Sequence, residues 1–199
     1  EDIAKLFDTD IGDNYIGACN DLSIADIPPL VYYTENAVGV KKHEYINSGV
    51  LLMNLKKMRE SGFEEHFLNL LNTYHFDSIA PDQDYINAMC NGRIFYLGEE
   101  WDAMPNDAKT PLENPSVIHY NLFSKPWCYD NIQYEDDFWK YAEISGYIDE
   151  IRAYKAAYGD DKKKADSDCL DLLVRRGTEI PENEITFKKL YDKGVKIRL

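Results

Sequence analysis

Four cysteines in 199 residues, none in a Cys-x-x-Cys pair, leave this chain without the signature of a zinc site or a disulfide scaffold. Cys19, Cys90, Cys128 and Cys169 are widely spaced, so reduced thiols in a reducing compartment are the expectation. No glycine-rich dinucleotide fingerprint and no Walker-type phosphate loop occurs, which excludes P-loop NTPases and the usual Rossmann cofactor enzymes. No apolar run reaches the roughly 20 residues of a membrane-spanning helix, and no signal-peptide pattern opens the chain. A soluble, cytoplasmic protein is expected. Basic charge is also scarce. With 22 Lys+Arg against 36 Asp+Glu, the net charge of −14 argues against nucleic acid as a partner, because phosphate backbones need a basic field.

What is present is an ordinary globular composition, 44% hydrophobic and 29% charged, long enough for one domain with an appendage. Aromatics reach 13%, including 15 Tyr, which suits ring stacking and plain packing equally. Charge is uneven. Residues 1–150 carry 10 Lys+Arg and 27 Asp+Glu, a balance of −17, whereas residues 151–199 carry 12 and 9, a balance of +3. This contrast divides the chain into an acidic body, 1–158, and a charged helical tail, 159–199. Basic tail residues such as Arg175, Arg176, Lys188 and Lys189 give the tail two readings. One is a solvated appendage; the other is peripheral docking on the anionic inner face of the cell membrane.

Residues 1–8 read as a short helix and Asn14–Asn20 as a strand. Neither an initiating Met nor a capping residue precedes that helix, so the chain is expected to begin within a fold. Residues 22–44, with Pro28-Pro29, read as irregular. Phe63, His66, Phe67, Leu70, Leu71 and Tyr74 form a helical stripe, on which His66 is expected to be a packed side chain. Pro81 and Gly92 bracket another helix in the expected asymmetry. Arg93–Leu97 and Ser116–Tyr120 read as strands. One long amphipathic helix is expected over Asp136–Tyr158, with Gly146 as its weak point. A short helix is expected over Cys169–Val174, with Gly177 just beyond it.

The most informative stretch is Tyr45–Glu60, YINSGVLLMNLKKMRE. A polar step runs into a short apolar run, as in a buried strand of an α/β sheet. Gly49 permits close approach of another group, and Asn47 places an amide beside that opening. Asp82, Gln83 and Asp84 open the helix after Pro81. Acids there stabilise a helix N-terminus by roughly 0.3–1 kcal/mol, so capping accounts for the two aspartates on local grammar. Gln83 has no such explanation. His119 ends a strand, where an imidazole can bind a divalent ion, and Lys125 can reach a phosphate as a point charge. Ligands of open α/β sheets sit at the carboxyl ends of strands, so these clusters are expected to line one pocket.

Three ordered blocks resemble glycosyltransferase family 8: YINSGVLLMNLKKMRE, APDQDYINAMCNGRIFYL and VIHYNLFSKPW. The resemblance covers residues 1 to about 140. It implies a GT-A α/β fold, a mixed sheet flanked by helices, of which residues 1–158 would be the C-terminal part. It also implies a UDP-glucose or UDP-galactose donor, a saccharide acceptor, retention at the anomeric carbon, a manganese (or magnesium) ion, and a place in cell-surface polysaccharide or lipopolysaccharide synthesis. By the same resemblance, His119 matches the metal-binding histidine and Lys125 the lysine on the diphosphate. Asp21, Asn47 and Asp82 match residues that hydrogen-bond the donor sugar. Gln83 matches the residue beneath the anomeric carbon. An amide is a poor nucleophile, which favours charge stabilisation by Gln83, with attack from the leaving-group side.

Two departures stand out. The family's metal-binding DxD and the nucleotide-binding part that precedes EDIAKLFDTDIGDNYIGA are missing, and Leu122 replaces the glycine of HxxGxxKPW. These 199 residues alone are therefore expected to be inactive. The rival expectation is a non-catalytic sugar-nucleotide or glycan-binding module.

Overall fold

A computed structural model describes residues 2–24 and 26–199, so Glu1, the first residue of the expected opening helix, lies outside it. The elements run α1 (Ala4–Phe7), β1 (Ile16–Asn20), α2 (Pro28–Tyr33), β2 (Ile46–Met53), α3 (Leu55–Ser61), α4 (Phe63–Tyr74), α5 (Pro81–Cys90), β3 (Ile94–Tyr96), α6 (Glu135–Ile144), α7 (Ile148–Ala156), α8 (Asp160–Glu179) and α9 (Phe187–Asp192). The sheet is mixed, with order β2-β1-β3: β1 pairs antiparallel with β2 and parallel with β3. The fold class is the mixed α/β arrangement expected from the sequence.

The sheet packs on α3 and α5 through Ile16, Ala18, Ile46, Met58, Cys90 and Ile94. A larger core gathers Tyr33, Tyr45, Leu70, Phe76, Tyr85 and Met89 with Ile180, Phe187, Leu190 and Ile197 from the end of the chain. Phe187 stacks on Phe76 at 3.9 Å between centroids and meets Tyr85 edge-on at 4.8 Å. His66 is held by packing, with Nε2 2.7 Å from the Ile197 carbonyl.

Four local expectations change. Pro28 and Pro29 start a helix instead of breaking one, because a first-turn residue has no intrahelical N–H bond to lose. That helix continues as a π turn over Thr34–Val38 and stops at Gly39, whose φ is +84°. The long helix over 136–158 is two, α6 and α7, parted at Gly146 with φ +80°. The short tail helix is a 20-residue α8 that begins in the charged linker and carries Gly177 inside it, buried. Ser116–Tyr120 is not a strand. It makes one parallel bridge, Ala103 to Ile118, flanked by Ala103 N–H to the Val117 carbonyl and His119 N–H to the Ala103 carbonyl, both 2.9 Å.

The tail residues named for lipid contact have partners within the chain. Arg176 pairs with Asp77, Arg175 with Glu179 and Lys188 with Asp192. Lys189 donates to the carbonyls of Glu182 and Asn183. Among the described residues, no helix is long and apolar enough to cross a membrane.

Candidate functional site

A cavity of about 330 Å³ opens where β2, the first turn of α5 and the 119–125 loop meet. Its lining includes Asp21, Asn47, Gln83, His119 and Lys125, so five of the six expected site residues share one pocket. Asp82 is exposed and does not line it, but its Oδ2 accepts the Ser48 hydroxyl at 2.8 Å.

The polar wall is one network. Asp21 Oδ2 accepts from Asn47 Nδ2 at 3.1 Å and from Gln83 Nε2 at 2.8 Å. Gln83 Oε1 accepts the Ser48 N–H at 2.9 Å, and Asn47 Oδ1 accepts the Gly49 N–H at 2.7 Å. Both ends of the Gln83 amide are thereby fixed. Asp21 also accepts from the Ser23 N–H at 3.0 Å. Ser48 connects the Asp82 and Gln83 sides, a role the sequence reading missed.

Two buried groups below the pocket hold this wall in place. Asn87, one turn after Gln83 on α5, exchanges a pair of hydrogen bonds with the Ile46 backbone, accepting at 2.8 Å and donating at 2.9 Å. It pins the start of β2 to α5, as a neighbouring strand would. Asp84 is fully buried and accepts from the hydroxyls of Tyr33 (2.6 Å), Tyr45 (2.6 Å) and Ser78 (2.5 Å) and from the Ala80 N–H at 3.0 Å. Burial pushes its pKa up, and these donors act in the opposite direction. Burial also pushes the Tyr33 and Tyr45 hydroxyls well above their usual range, with the Asp84 charge adding to it. Helix-start grammar gave Asp84 a capping role, and its bond to the Ala80 N–H at the start of α5 is of that kind. Its distant hydroxyl partners have no local signal.

The reason for Gly49 is His119. A Cβ on Gly49 would lie 2.1 Å from His119 Cε1 and 2.9 Å from Asn47 Oδ1, so only glycine lets the imidazole lie across β2. His119 Nδ1 is 3.0 Å from Asp102 Oδ1. Asp102 is buried, and its Oδ2 has no hydrogen-bond partner among the described residues. A carboxylate on one imidazole nitrogen is the arrangement that orients a metal-binding histidine. The ligand set nonetheless stops at one imidazole. Among the described residues, no group of three or more His, Cys, Asp or Glu could hold an ion. Asp8 and Asp10 have the letters of an Asp-x-Asp pair but are exposed and away from the pocket lining; Asp10 Oδ1 accepts the Gly12 N–H at 2.8 Å. The residues present therefore do not make a metal site by themselves.

Lys125 donates to the Tyr120 carbonyl and lies 5.4 Å from the Trp127 ring centroid. Partial burial holds its pKa below the usual lysine value. Leu122, where the motif resemblance has glycine, adopts φ +42° in the left-handed region and is half exposed at the pocket rim.

Comparison with known proteins gives a consistent result. The family model of Glycosyl transferase family 8 matches residues 1–131. General stress protein A of Bacillus subtilis is 25% identical over 159 residues, which cover 71% of this chain and 54% of that protein. Lipopolysaccharide 1,2-glucosyltransferase of Escherichia coli is 30% identical over 100 residues, covering 42% of this chain and 28% of that protein. Among solved structures, an active-site glutamine-to-glutamate mutant of LgtC superposes with a TM-score of 0.59 at 27% identity, over 72% of this chain and 57% of LgtC. The bifunctional glycosyltransferase WbbM shares the fold, with a TM-score of 0.64 at 19% identity over 78% of this chain and 32% of WbbM. The chain thus spans from under a third to little more than half the length of these relatives.

Proposed function

The chain belongs to Glycosyl transferase family 8, and we propose that its pocket holds the hexose of UDP-glucose or UDP-galactose for transfer, with retention, to a saccharide hydroxyl in cell-surface or lipopolysaccharide synthesis. The observation that carries this reading is the Asp21 carboxylate shared by Asn47 and Gln83 on the pocket wall. Such a wall offers fixed acceptors and donors to sugar hydroxyls, and its groups need no reorganisation when a sugar enters. A relative supports this reading: LgtC has been solved with donor and acceptor sugar analogues, and a glutamine belongs to its active site.

In the proposed reaction the bond from the anomeric carbon to the UDP oxygen breaks, and a bond to the acceptor oxygen forms on the same face. The leaving diphosphate carries away the electron pair, and the acceptor proton passes towards it. The Gln83 amide, held by Asp21 and Ser48, offers its oxygen to the positive charge that develops at the anomeric carbon. Asn47 and Asp21 hold the hydroxyls, Asp82 acts through the Ser48 hydroxyl that it positions at the pocket, and Lys125 meets the diphosphate. His119 is the residue that would hold manganese or magnesium, and the described residues do not complete that site.

Replacing Gln83 by Ala in a catalytically complete transferase carrying this sequence is expected to cut turnover far more than UDP binding; unchanged turnover would overturn its role. For these 199 residues alone, calorimetry with UDP and manganese is expected to show no tight binding. Micromolar binding would instead mean that the nucleotide site is complete within them.

A further inference from the structure

The family-matched residues do not close the pocket alone. Leu173, on α8 and beyond the matched span of 1–131, also lines it. The placement of α8 is tightly set. Four residues after Leu173, on the same helix face, Gly177 meets α2 so closely that a Cβ there would lie 2.8 Å from the Pro29 carbonyl oxygen and 3.2 Å from Leu30 Cδ2. Leu30 is itself a pocket residue, so this one contact governs two apolar liners. Further clamps stand on either side of Leu173. Asp166 accepts the hydroxyls of Tyr129 and Tyr158 at 2.7 and 2.6 Å, and Arg176 pairs with Asp77.

We propose that α8 is a selectivity wall, in which Leu173, docked through Gly177, limits the pocket to an unmodified hexose and excludes an N-acetylhexosamine. An acetamido group brings an N–H and a carbonyl that lose water on entry, and a leucine side chain offers neither a partner. At about 330 Å³ the pocket is also at the small end of ligand sites. The inference rests on the hexose-pocket reading above and adds to it which part of the chain sets the choice of sugar.

Saturation-transfer NMR at millimolar ligand tests it, with UDP-glucose, UDP-galactose and UDP-N-acetylglucosamine as probes. The wild-type chain is expected to saturate the hexose ring protons and not those of the N-acetylated sugar. Leu173→Ala is expected to raise the N-acetylhexosamine signal relative to hexose roughly tenfold, the scale on which a pocket discriminates by one small group. Leu173→Phe should weaken hexose binding, and Gly177→Ala, by pushing α8 from α2, should act in the same direction as Leu173→Ala. Circular dichroism reports whether each variant is folded. An unchanged preference in folded Leu173→Ala, or loss of all sugars, overturns the wall while leaving the hexose pocket standing. No sugar saturation in the wild type overturns the hexose pocket, and the wall falls with it.

Discussion

The sheet side and the helical side of this molecule differ in how completely they bury apolar residues. In the sheet, Val50, Leu51 and Leu52 are only partly buried and Met53 is 42% exposed, although the run is wholly apolar. Both outer strands, β2 and β3, pair on one side only among the described residues. On the helical side, Phe76, Tyr85 and Phe187 interlock and are almost completely covered. That closure needs Ile180, Phe187, Leu190 and Ile197, which lie beyond the family-matched span. The pocket lies between these regions, its polar wall started by β2 and fixed by α5. The lesson is that the end of the chain completes the core and supports the site, whereas the apolar sheet contributes less to stability than its composition suggests.

The largest expected effect sharpens this contrast directly. Phe187→Ala should cost about 3–5 kcal/mol, as for a large aromatic removed from a packed core. Leu52→Ala should cost less, under about 2 kcal/mol, because Leu52 is only partly buried and part of its transfer term is not realised. Urea denaturation of the two variants decides it; equal losses would mean that the sheet is as closed as the helical core.

Next in size is Asp84→Asn. The amide would turn an NH₂ group towards hydroxyls that already donate, and a hydrogen bond to a charged group is worth about 1.5–3 kcal/mol. A loss of stability of that order, read as a lower urea midpoint with unchanged slope, is expected. A neutral result would show that the Tyr33, Tyr45 and Ser78 hydroxyls can reverse their roles.

How much of this was legible follows from the range of each signal. Short strand-like runs gave β1, β2 and β3, the 3.6-residue stripe gave α4 and the Pro81–Gly92 bracket gave α5; the strand-end rule gathered Asn47, Gln83, His119 and Lys125 around one pocket, and the family resemblance added Asp21. What escaped depends on distant partners. Asp84 looks like any acidic residue in a first helical turn until Tyr33 and Tyr45 arrive from 51 and 39 residues away. Gly177 looks like a helix stop, and is instead the contact that lets α8 lie on Pro29. Asp102, the partner of His119, carries no local signal at all.

Leu122→Gly is expected to act in the other direction. A leucine at φ +42° carries the left-handed penalty of about 1–2 kcal/mol, part of which glycine gives back through its freer unfolded chain. The variant should gain stability by at most about 1 kcal/mol, read as a higher melting temperature. A loss would mean that the half-exposed Leu122 side chain contributes more through packing at the pocket rim than its backbone costs.

The smallest effect concerns the sheet side again, at the Lys57–Asp13 pair beside β1. The Lys57 ammonium, 3.0 Å away, holds the Asp13 carboxyl below the usual carboxylate range, first by the hydrogen bond and then by charge. A depressed folded pKa gives stability that is present above the unfolded value of about 3.9 and is lost as pH falls through the folded one. Lys57→Met should therefore lower the melting temperature slightly at about pH 6 and progressively less towards about pH 3, because the wild type loses the pair by then. Asp13 is fully exposed, so added salt at neutral pH should shrink the same difference. Lys57 also lies 5.6 Å from the Tyr15 ring centroid, a contact that does not titrate with Asp13. A Lys57→Met penalty that stays constant with both pH and salt would assign the residue's contribution to that ring, and would make the start of β1 a packed surface instead of a charged one.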